Sequence, residues 1–311
     1  MKTLIVNLNL AVDKTALCPA LKAGRIYRFE QTLTVPGGKG VNVARAMRTW
    51  GLRPKIAGFI SGLNGLWIER ALEAEGLDAF LLKHKAGESR VCLSVVDPAG
   101  LSTDFNEEGP PVPGPAQALF LRSFSALAGT HKLVAVCGRV SAGIRKGFFS
   151  ELVRLSAERG CFTVFDTSGW ALVEALSAGV SAVKINRYEF EELSGVRLSV
   201  RGLSAFYEKY RKTGLKALVV TNRANAAFAV SSFGLWRIMP PALRRLGSSV
   251  GAGDSFTAGF MAGIAGGLDF ENTLKLAAGF AASDCLSLGA GQIKRNEVHS
   301  FSVKTRVKKL L

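Results

Sequence analysis

Paired cysteines, clustered histidines and long apolar runs are all missing from this sequence of 311 residues. Its cysteines, Cys18, Cys92, Cys137, Cys161 and Cys285, are scattered, odd in number and free of any C-x-x-C pair. That pattern excludes a disulfide framework or a zinc ribbon and reads as reduced, mostly buried thiols. His84, His131 and His299 stand far apart, so no metal-ligand spacing arises from them. No stretch of about 18 uninterrupted apolar residues occurs, which argues against a transmembrane helix. The opening MKTLIVNLNLAVD has the lysine and apolar run of a signal peptide, but Asn7, Asn9 and Asp13 interrupt it. No small-residue cleavage site follows, so a buried first strand and a cytoplasmic protein are expected. Acidic residues are the other shortage: 24 stand against 40 basic ones, leaving a formal charge of +16. Such an excess attracts anions of every kind without choosing among them. No aromatic-interleaved basic stretch or docking motif accompanies it, so neither a specific nucleic acid nor a membrane is expected as partner. The terminal KTRVKKLL reads as a solvated basic tail.

What is present suits one large α/β domain spanning residues 1–311 with a minor appendage. Hydrophobic residues make up 48% and charged residues 21%, enough for a substantial core. Apolar runs of strand length recur at Thr3 to Leu10, Lys55 to Phe59, Leu133 to Cys137, Phe162 to Phe165, Ala182 to Ile185 and Ala217 to Thr221. Most are continuous rather than alternating, as in strands covered on both faces. Amphipathic stretches such as Val41 to Trp50, Leu66 to Glu75 and Gly147 to Arg159 separate them, which predicts a mainly parallel sheet with helices on both sides. Arg25 to Val35 and Arg90 to Asp97 break the rhythm with strand-like alternation, either a small separate sheet that serves as a lid or a plain sheet extension. Glu108 to Pro115 (EGPPVPGP) is a turn-rich loop.

Two glycine-rich segments carry the chemistry. In GSSVGAGDSFTAGFMAGIAGG, Gly247 to Gly267, Gly251 and Gly253 precede a stretch with Phe256, Phe260 and Ile264 at helical spacing. A glycine turn opening a helix presents backbone N–H groups at the positive end of the helix dipole. Asp254 then falls in the first turn, beside an anion site. It is either an ordinary first-turn carboxylate or a base that takes a proton from an attacking hydroxyl. In VPGGKGVNVARAMRTWG, Val35 to Gly51, the G-x-x-x-x-G-K-[ST] spacing of a P-loop is absent. Its glycines permit close approach of a ligand, Lys39 offers a point charge and Asn42 an amide.

Together these segments closely resemble the paired signatures of the ribokinase-like PfkB carbohydrate kinases. A D-T-S-G at Asp166 to Gly169 and an N-x-x-E at Asn186 to Glu189 lie between them in family order. GGKGVNVAR, TDFNEEGP and DTSG look most like the branch of 1-phosphofructokinase and tagatose-6-phosphate kinase. The resemblance implies a three-layer α/β/α sandwich with a mainly parallel central sheet and a small β-sheet lid drawn from about residues 14–36 and 88–106. It implies ATP-dependent phosphorylation of a hexose phosphate, fructose 1-phosphate favoured, then tagatose 6-phosphate or fructose 6-phosphate; a kinase of an unphosphorylated sugar or nucleoside and a non-catalytic ligand-binding homologue are the alternatives. Asp254 would be the base, with Gly251, Ala252 and Gly253 as anion hole. Asp13, at the end of the first strand, would hold sugar hydroxyls with Gly37, Gly38 and Asn42. Lys39 and Arg90 would bind the existing phosphate, with Arg28 and Arg25 on a lid strand adding charge there or reaching a partner subunit. Asn186 and Glu189 would organise Mg²⁺ through water, and Lys184 and Thr221 would lie on the ATP side. A homodimer through the lid is the expected assembly.

Several positions depart from the family pattern. Leu10 and Ile185 stand where prolines are usual, next to retained polar residues. In CGRVSAG, Arg139 replaces a serine and either grips the phosphate or narrows the pocket. The nucleotide loop reads TNRANAA, with Arg223 and Ala226 where glycines are expected, so it must take another shape if positive backbone angles are needed there.

Overall fold

The structure, a computed structural model, describes residues 1–19 and 21–311. The strands are β1 (Thr3–Asn7), β2 (Ala11–Leu17), β3 (Thr32–Gly37), β4 (Lys55–Ser61), β5 (Asp78–His84), β6 (Arg90–Val96), β7 (Ser102–Asn106), β8 (Leu133–Cys137), β9 (Phe162–Asp166), β10 (Ala182–Asn186), β11 (Ala217–Thr221), β12 (Ala227–Ser231), β13 (Gly234–Met239) and β14 (Arg306–Lys309). The helices are α1 (Lys39–Trp50), α2 (Gly62–Ala74), α3 (Gly114–Thr130), α4 (Phe148–Glu158), α5 (Gly169–Ser177), α6 (Arg187–Ser194), α7 (Val200–Arg211), α8 (Ala252–Ala265), α9 (Phe270–Asp284) and α10 (Arg295–Lys304).

The main sheet runs β14-β13-β12-β11-β10-β9-β8-β1-β4-β5. Neighbours from β5 to β11 are parallel, and β12 to β14 continue it antiparallel. Because successive side chains of a strand point to opposite faces, an uninterrupted apolar run must be covered twice. Val134 and Val136 enter one core with Phe120, Phe124, Phe148 and Leu203, supplied by α3, α4 and α7. Leu133, Ala135 and Cys137 of the same strand enter the other with Val41, Met47, Phe260 and Phe280, supplied by α1, α8 and α9. The result is the three-layer arrangement that the alternation of runs predicts. The chain enters the sheet at its middle, and strand order reverses between β4 and β8 on either side of β1. That reversal opens a crevice at the carboxyl ends of the parallel strands.

Helix α8 is buried from Asp254 to Gly263. A Cβ on Gly259 would lie 2.7 Å from the Ala277 backbone, and one on Gly263 would lie 2.8 Å from the Thr273 side chain. The small residues of this segment therefore let α8 and α9 pack backbone to backbone, which holds the N-terminus of α8 rigidly in the crevice.

A second, four-stranded sheet has the order β3-β2-β6-β7. Only β2 and β6 are parallel in it. Three expectations need correction. The run Thr3 to Leu10 is not one strand: β1 ends at Asn7 and the chain crosses to the second sheet, so Asp13 lies inside β2 rather than at the end of the first strand. The Ser141 hydroxyl donates to Leu8 O at 2.7 Å and Asn9 Nδ2 to Glu108 O at 3.1 Å across the crossing. The strand expected from Arg25 begins only at Thr32, and Arg25 and Arg28 lie before it in an exposed segment without regular structure. Finally, KTRVKKLL is not a solvated tail. Arg306–Lys309 pairs with β13, turning Val307 toward the core while its charged neighbours stay in water. Among the described residues, no helix is long and apolar enough to cross a membrane.

Candidate active site

The crevice is floored by the N-terminus of α8. Its cap, Gly251, has φ 86°, and a Cβ there would lie 2.3 Å from Ala290 Cβ, so both backbone and space demand glycine. The first N–H groups of a helix have no intrahelical acceptor; that of Gly253 is left for an anion, while that of Ala252 makes only a long 3.4 Å contact to Ser249 O. Asp254 follows in the first turn, only 7% exposed. Its Oδ2 accepts a hydrogen bond from Asn42 Nδ2 at 2.9 Å. Burial pushes its carboxyl up to about 6; Lys39 opposes that, while the neighbouring Asp166 adds to it. A carboxylate of that basicity is ionised at neutral pH and well matched to proton transfer.

Asp166 closes β9 and is wholly buried. Lys184 Nζ, from β10, lies 3.0 Å from its Oδ2, and the Thr257 hydroxyl donates to the same oxygen at 2.6 Å. Lys39 Nζ lies 3.4 Å from its Oδ1 and 3.9 Å from Glu189 Oε1. Burial disfavours the Asp166 charge, but the two ammonium groups outweigh it and hold the carboxyl well below the usual range. Asp166 in turn raises Lys39 above an ordinary lysine. Two cations thus stand beside the α8 N-terminus, a setting for a multiply charged phosphate.

On the second sheet, Gly38 N–H donates to Asp13 Oδ2 at 3.2 Å. A Cβ on Gly37 would fall 1.9 Å from Asp13 Cγ, so the double glycine makes room for that carboxylate. Burial raises the Asp13 carboxyl, against the Gly38 hydrogen bond and the charge of Arg90. Arg90 pairs in register with Ala11. Its Nε reaches Asn9 O at 3.3 Å and its Nη1 Glu107 O at 3.4 Å. Arg139 Nη2 meets Glu108 Oε1 at 3.0 Å, with both side chains exposed. Arg90 and Arg139 therefore lean on one loop, whereas Arg28 and Arg25 are not brought to this group.

Asn186 and Glu189 form a capping box on α6: Glu189 N–H donates to Asn186 Oδ1 at 3.0 Å and Asn186 N–H to Glu189 Oε2 at 2.8 Å. Only Glu189 Oε1 is left toward the crevice, near Lys39. Among the described residues no group of three His, Cys, Asp or Glu could hold a metal ion directly. One carboxylate oxygen, shared only at 3.9 Å with Lys39, fits a cation held through water. Thr221 ends β11 and its hydroxyl donates to Ile185 O at 3.4 Å. Arg223 has φ 51°, the one non-glycine positive φ among the described residues, and its guanidinium lies 5.7 Å from the Tyr188 ring centre. The loop has kept a left-handed angle without the glycine.

Sequence reasoning gave no role to Asp166, Thr257 or Arg45. Asp166 carries a usable signal, a charge closing a buried parallel strand after the apolar FTVF. So does Arg45, a lone charge among Val41, Val43, Ala44, Ala46 and Met47 on a buried helix.

Residues 4–296 match the family model described as pfkB family carbohydrate kinase. The 1-phosphofructokinase of Escherichia coli K12 is 29% identical over 279 residues, 89% of this chain and 88% of that protein. The tagatose-6-phosphate kinase of Staphylococcus epidermidis is 26% identical over 298 residues, 94% of this chain and 95% of that protein. A solved structure from Thermotoga maritima, named a possible 1-phosphofructokinase, superimposes with a TM-score of 0.90 over 100% of both chains at 22% identity, which shows the shared fold.

Proposed function

Because the chain belongs to the pfkB family of carbohydrate kinases, we propose that it transfers phosphate from ATP to a hexose phosphate, fructose 1-phosphate first among candidates. The observation that carries this reading is Asp254, raised to about 6 and held by Asn42 at the mouth of the α8 N-terminus. The names of the relatives, 1-phosphofructokinase and tagatose-6-phosphate kinase, support a substrate that already bears a phosphate.

The acceptor hydroxyl donates to Asp254, which takes its proton as the oxygen attacks the γ-phosphorus. The bond from that phosphorus to ADP breaks, giving a sugar bisphosphate. N–H groups of Gly251, Ala252 and Gly253 face the phosphoryl oxygens, where preorganised donors are most effective. Lys39, placed between Asp166 and Glu189, serves the transferring phosphoryl rather than the sugar's own phosphate. Mg²⁺, held through water at Glu189 Oε1, would neutralise charge on the nucleotide phosphates. Asn42 has its oxygen on Arg45 and one N–H on Asp254, which leaves one N–H for a sugar hydroxyl beside Asp13. Arg90 and Arg139 form the clamp for the existing phosphate, and Arg223 serves the ATP phosphates. The four-stranded sheet acts as the lid that excludes water, and its outer strands β3 and β7 are the edges through which two copies would pair.

Coupled ADP release with Mg-ATP against free sugars, sugar phosphates and nucleosides tests the reading. Fructose 1-phosphate is expected to exceed free fructose in kcat/KM by on the order of 100-fold, most of it lost in Arg90→Gln. Asp254→Asn should lower turnover by about 10²- to 10⁴-fold. Turnover confined to unphosphorylated sugars would refute the clamp, and full activity in Asp254→Asn would refute the base.

A further inference from the structure

Arg45 is a buried charge on α1, 8% exposed, outside the crevice itself. A guanidinium has five N–H groups and no acceptor. All five are spent here. Nε donates to Glu75 Oε2 at 2.7 Å, and Nη2 to Glu75 Oε1 at 3.0 Å and Pro36 O at 2.6 Å. Nη1 donates to Asn42 Oδ1 at 3.0 Å and Ala290 O at 3.0 Å. Pro36 immediately precedes the double glycine against Asp13. Ala290 is the residue against which the Gly251 turn packs. One planar fork thus ties together the two glycine turns that build the crevice.

The Asn42 contact has a further consequence. Because arginine can only donate, it accepts no orientation of the Asn42 amide except oxygen inward. The amide N–H is then directed at Asp254 Oδ2, 2.9 Å away. Without the guanidinium the amide can turn over and present oxygen to a carboxylate, which is repulsive. We propose that Arg45 is a positioning residue for phosphoryl transfer, locking the Asn42 amide so that its N–H faces and orients the Asp254 carboxylate. The inference rests on the assignment of Asp254 as base. The other charged groups facing Asp254 are Lys39 from α1, Asp166 from β9, Lys184 from β10 and Asp284 from α9. None of these is an acceptor of the Arg45 hydrogen bonds, so a change at Arg45 reaches Asp254 through Asn42 or through Ala290 behind the Gly251 turn, and only the Asn42 route removes a hydrogen bond from the carboxylate.

Arg45→Lys decides the matter in the full chain. It keeps a positive charge and a long stem, but a single ammonium cannot span acceptors on four segments. Loss of the oriented N–H removes a hydrogen bond that favours ionised Asp254, so the acid limb of kcat/KM should move upward by about one pH unit. The value of kcat should fall roughly tenfold with KM for ATP nearly unchanged. Glu75→Gln is the control: it weakens the ion pair and lowers Tm while leaving Nη1 on Asn42 and Ala290, so its acid limb should stay in place. An unmoved limb and unchanged kcat in Arg45→Lys overturns the proposal. An equal limb shift in Glu75→Gln, or failure of Arg45→Lys to fold, makes Arg45 merely architectural and overturns it too. Asp254→Asn separates the two layers: turnover surviving there sinks the base, whereas turnover lost there with the Arg45→Lys limb unmoved sinks this inference alone.

Discussion

Replacing Asp166 by asparagine should harm stability and at the same time make the Asp254 carboxylate, the proposed base, weaker. Asp166 is the shared counter-ion of Lys184 and Lys39, with side-chain exposures of 5% and 39% for the two lysines. Removing one partner of a buried pair costs about 3–5 kcal/mol, because the other charge is left without compensation. The lower end applies here: Lys39 can turn to water, and the asparagine keeps the shape of the carboxylate. About 3 kcal/mol in a chain of this size lowers Tm by roughly 5 °C. The carboxyl of Asp166 is depressed in the folded protein, so its contribution is present above the unfolded carboxylate range and lost as pH falls below it. The Tm deficit should therefore be full at pH 7, begin to narrow below about pH 4 and close as pH falls through about 2. Asp166 also raises Asp254, while Lys39 and Lys184 lower it. Removing the one charge and freeing the other two act in the same direction. With Asp254 as the proposed base, the acid limb of kcat/KM is expected near 6 in the parent and should move down by up to about one pH unit. Calorimetry from pH 3 to 8 and a coupled ADP assay from pH 5 to 9 measure both effects. An unchanged Tm with the acid limb fixed or raised would refute the electrostatic account of the crevice.

Two further substitutions probe the edges of the site and the sheet. Arg223→Gly relieves a left-handed residue, worth about 1–2 kcal/mol, against roughly 0.5–1 kcal/mol of added chain entropy. Tm should rise by about 1–2 °C while KM for ATP increases several-fold; an unaltered KM for ATP removes Arg223 from the nucleotide site. Deleting residues 306–311 strips β13 of its outer partner, leaving β12 on its other side, and uncovers Trp236, over which Lys309 lies at 5.8 Å. A Tm loss of about 5 °C and a tendency to self-associate through the bare edge are expected. No change in Tm would mean that the segment behaves as a solvated tail.

The parts of the molecule legible in the sequence are those whose physics is local. A glycine turn opening a helix announces an anion site by itself, and continuous apolar runs announce strands buried on both faces, which is why Leu133 to Cys137 and Ala217 to Thr221 coincide with β8 and β11. Where burial is uniform the same signal fails. Thr3 to Leu10 is apolar enough throughout to hide the crossing between sheets, since Leu8 and Leu10 are as buried as Val6. At β14 the failure is the opposite: an edge strand with one inward side chain among three charged ones is indistinguishable from a tail until its partner is known. The least legible features are pairings across the chain. Lys39 meets Asp166 127 residues away and Arg45 meets Ala290 245 residues away. No spacing rule encodes such contacts. What the sequence does carry is their cost, because a charge in an apolar helix or at the end of a buried strand must find a partner or be eliminated. Reading Arg45 and Asp166 as unpaid desolvation would have marked both as members of a network before any partner was known. The same argument explains why the network converges on Asp254, where a helix N-terminus, two cations and a raised carboxylate coexist.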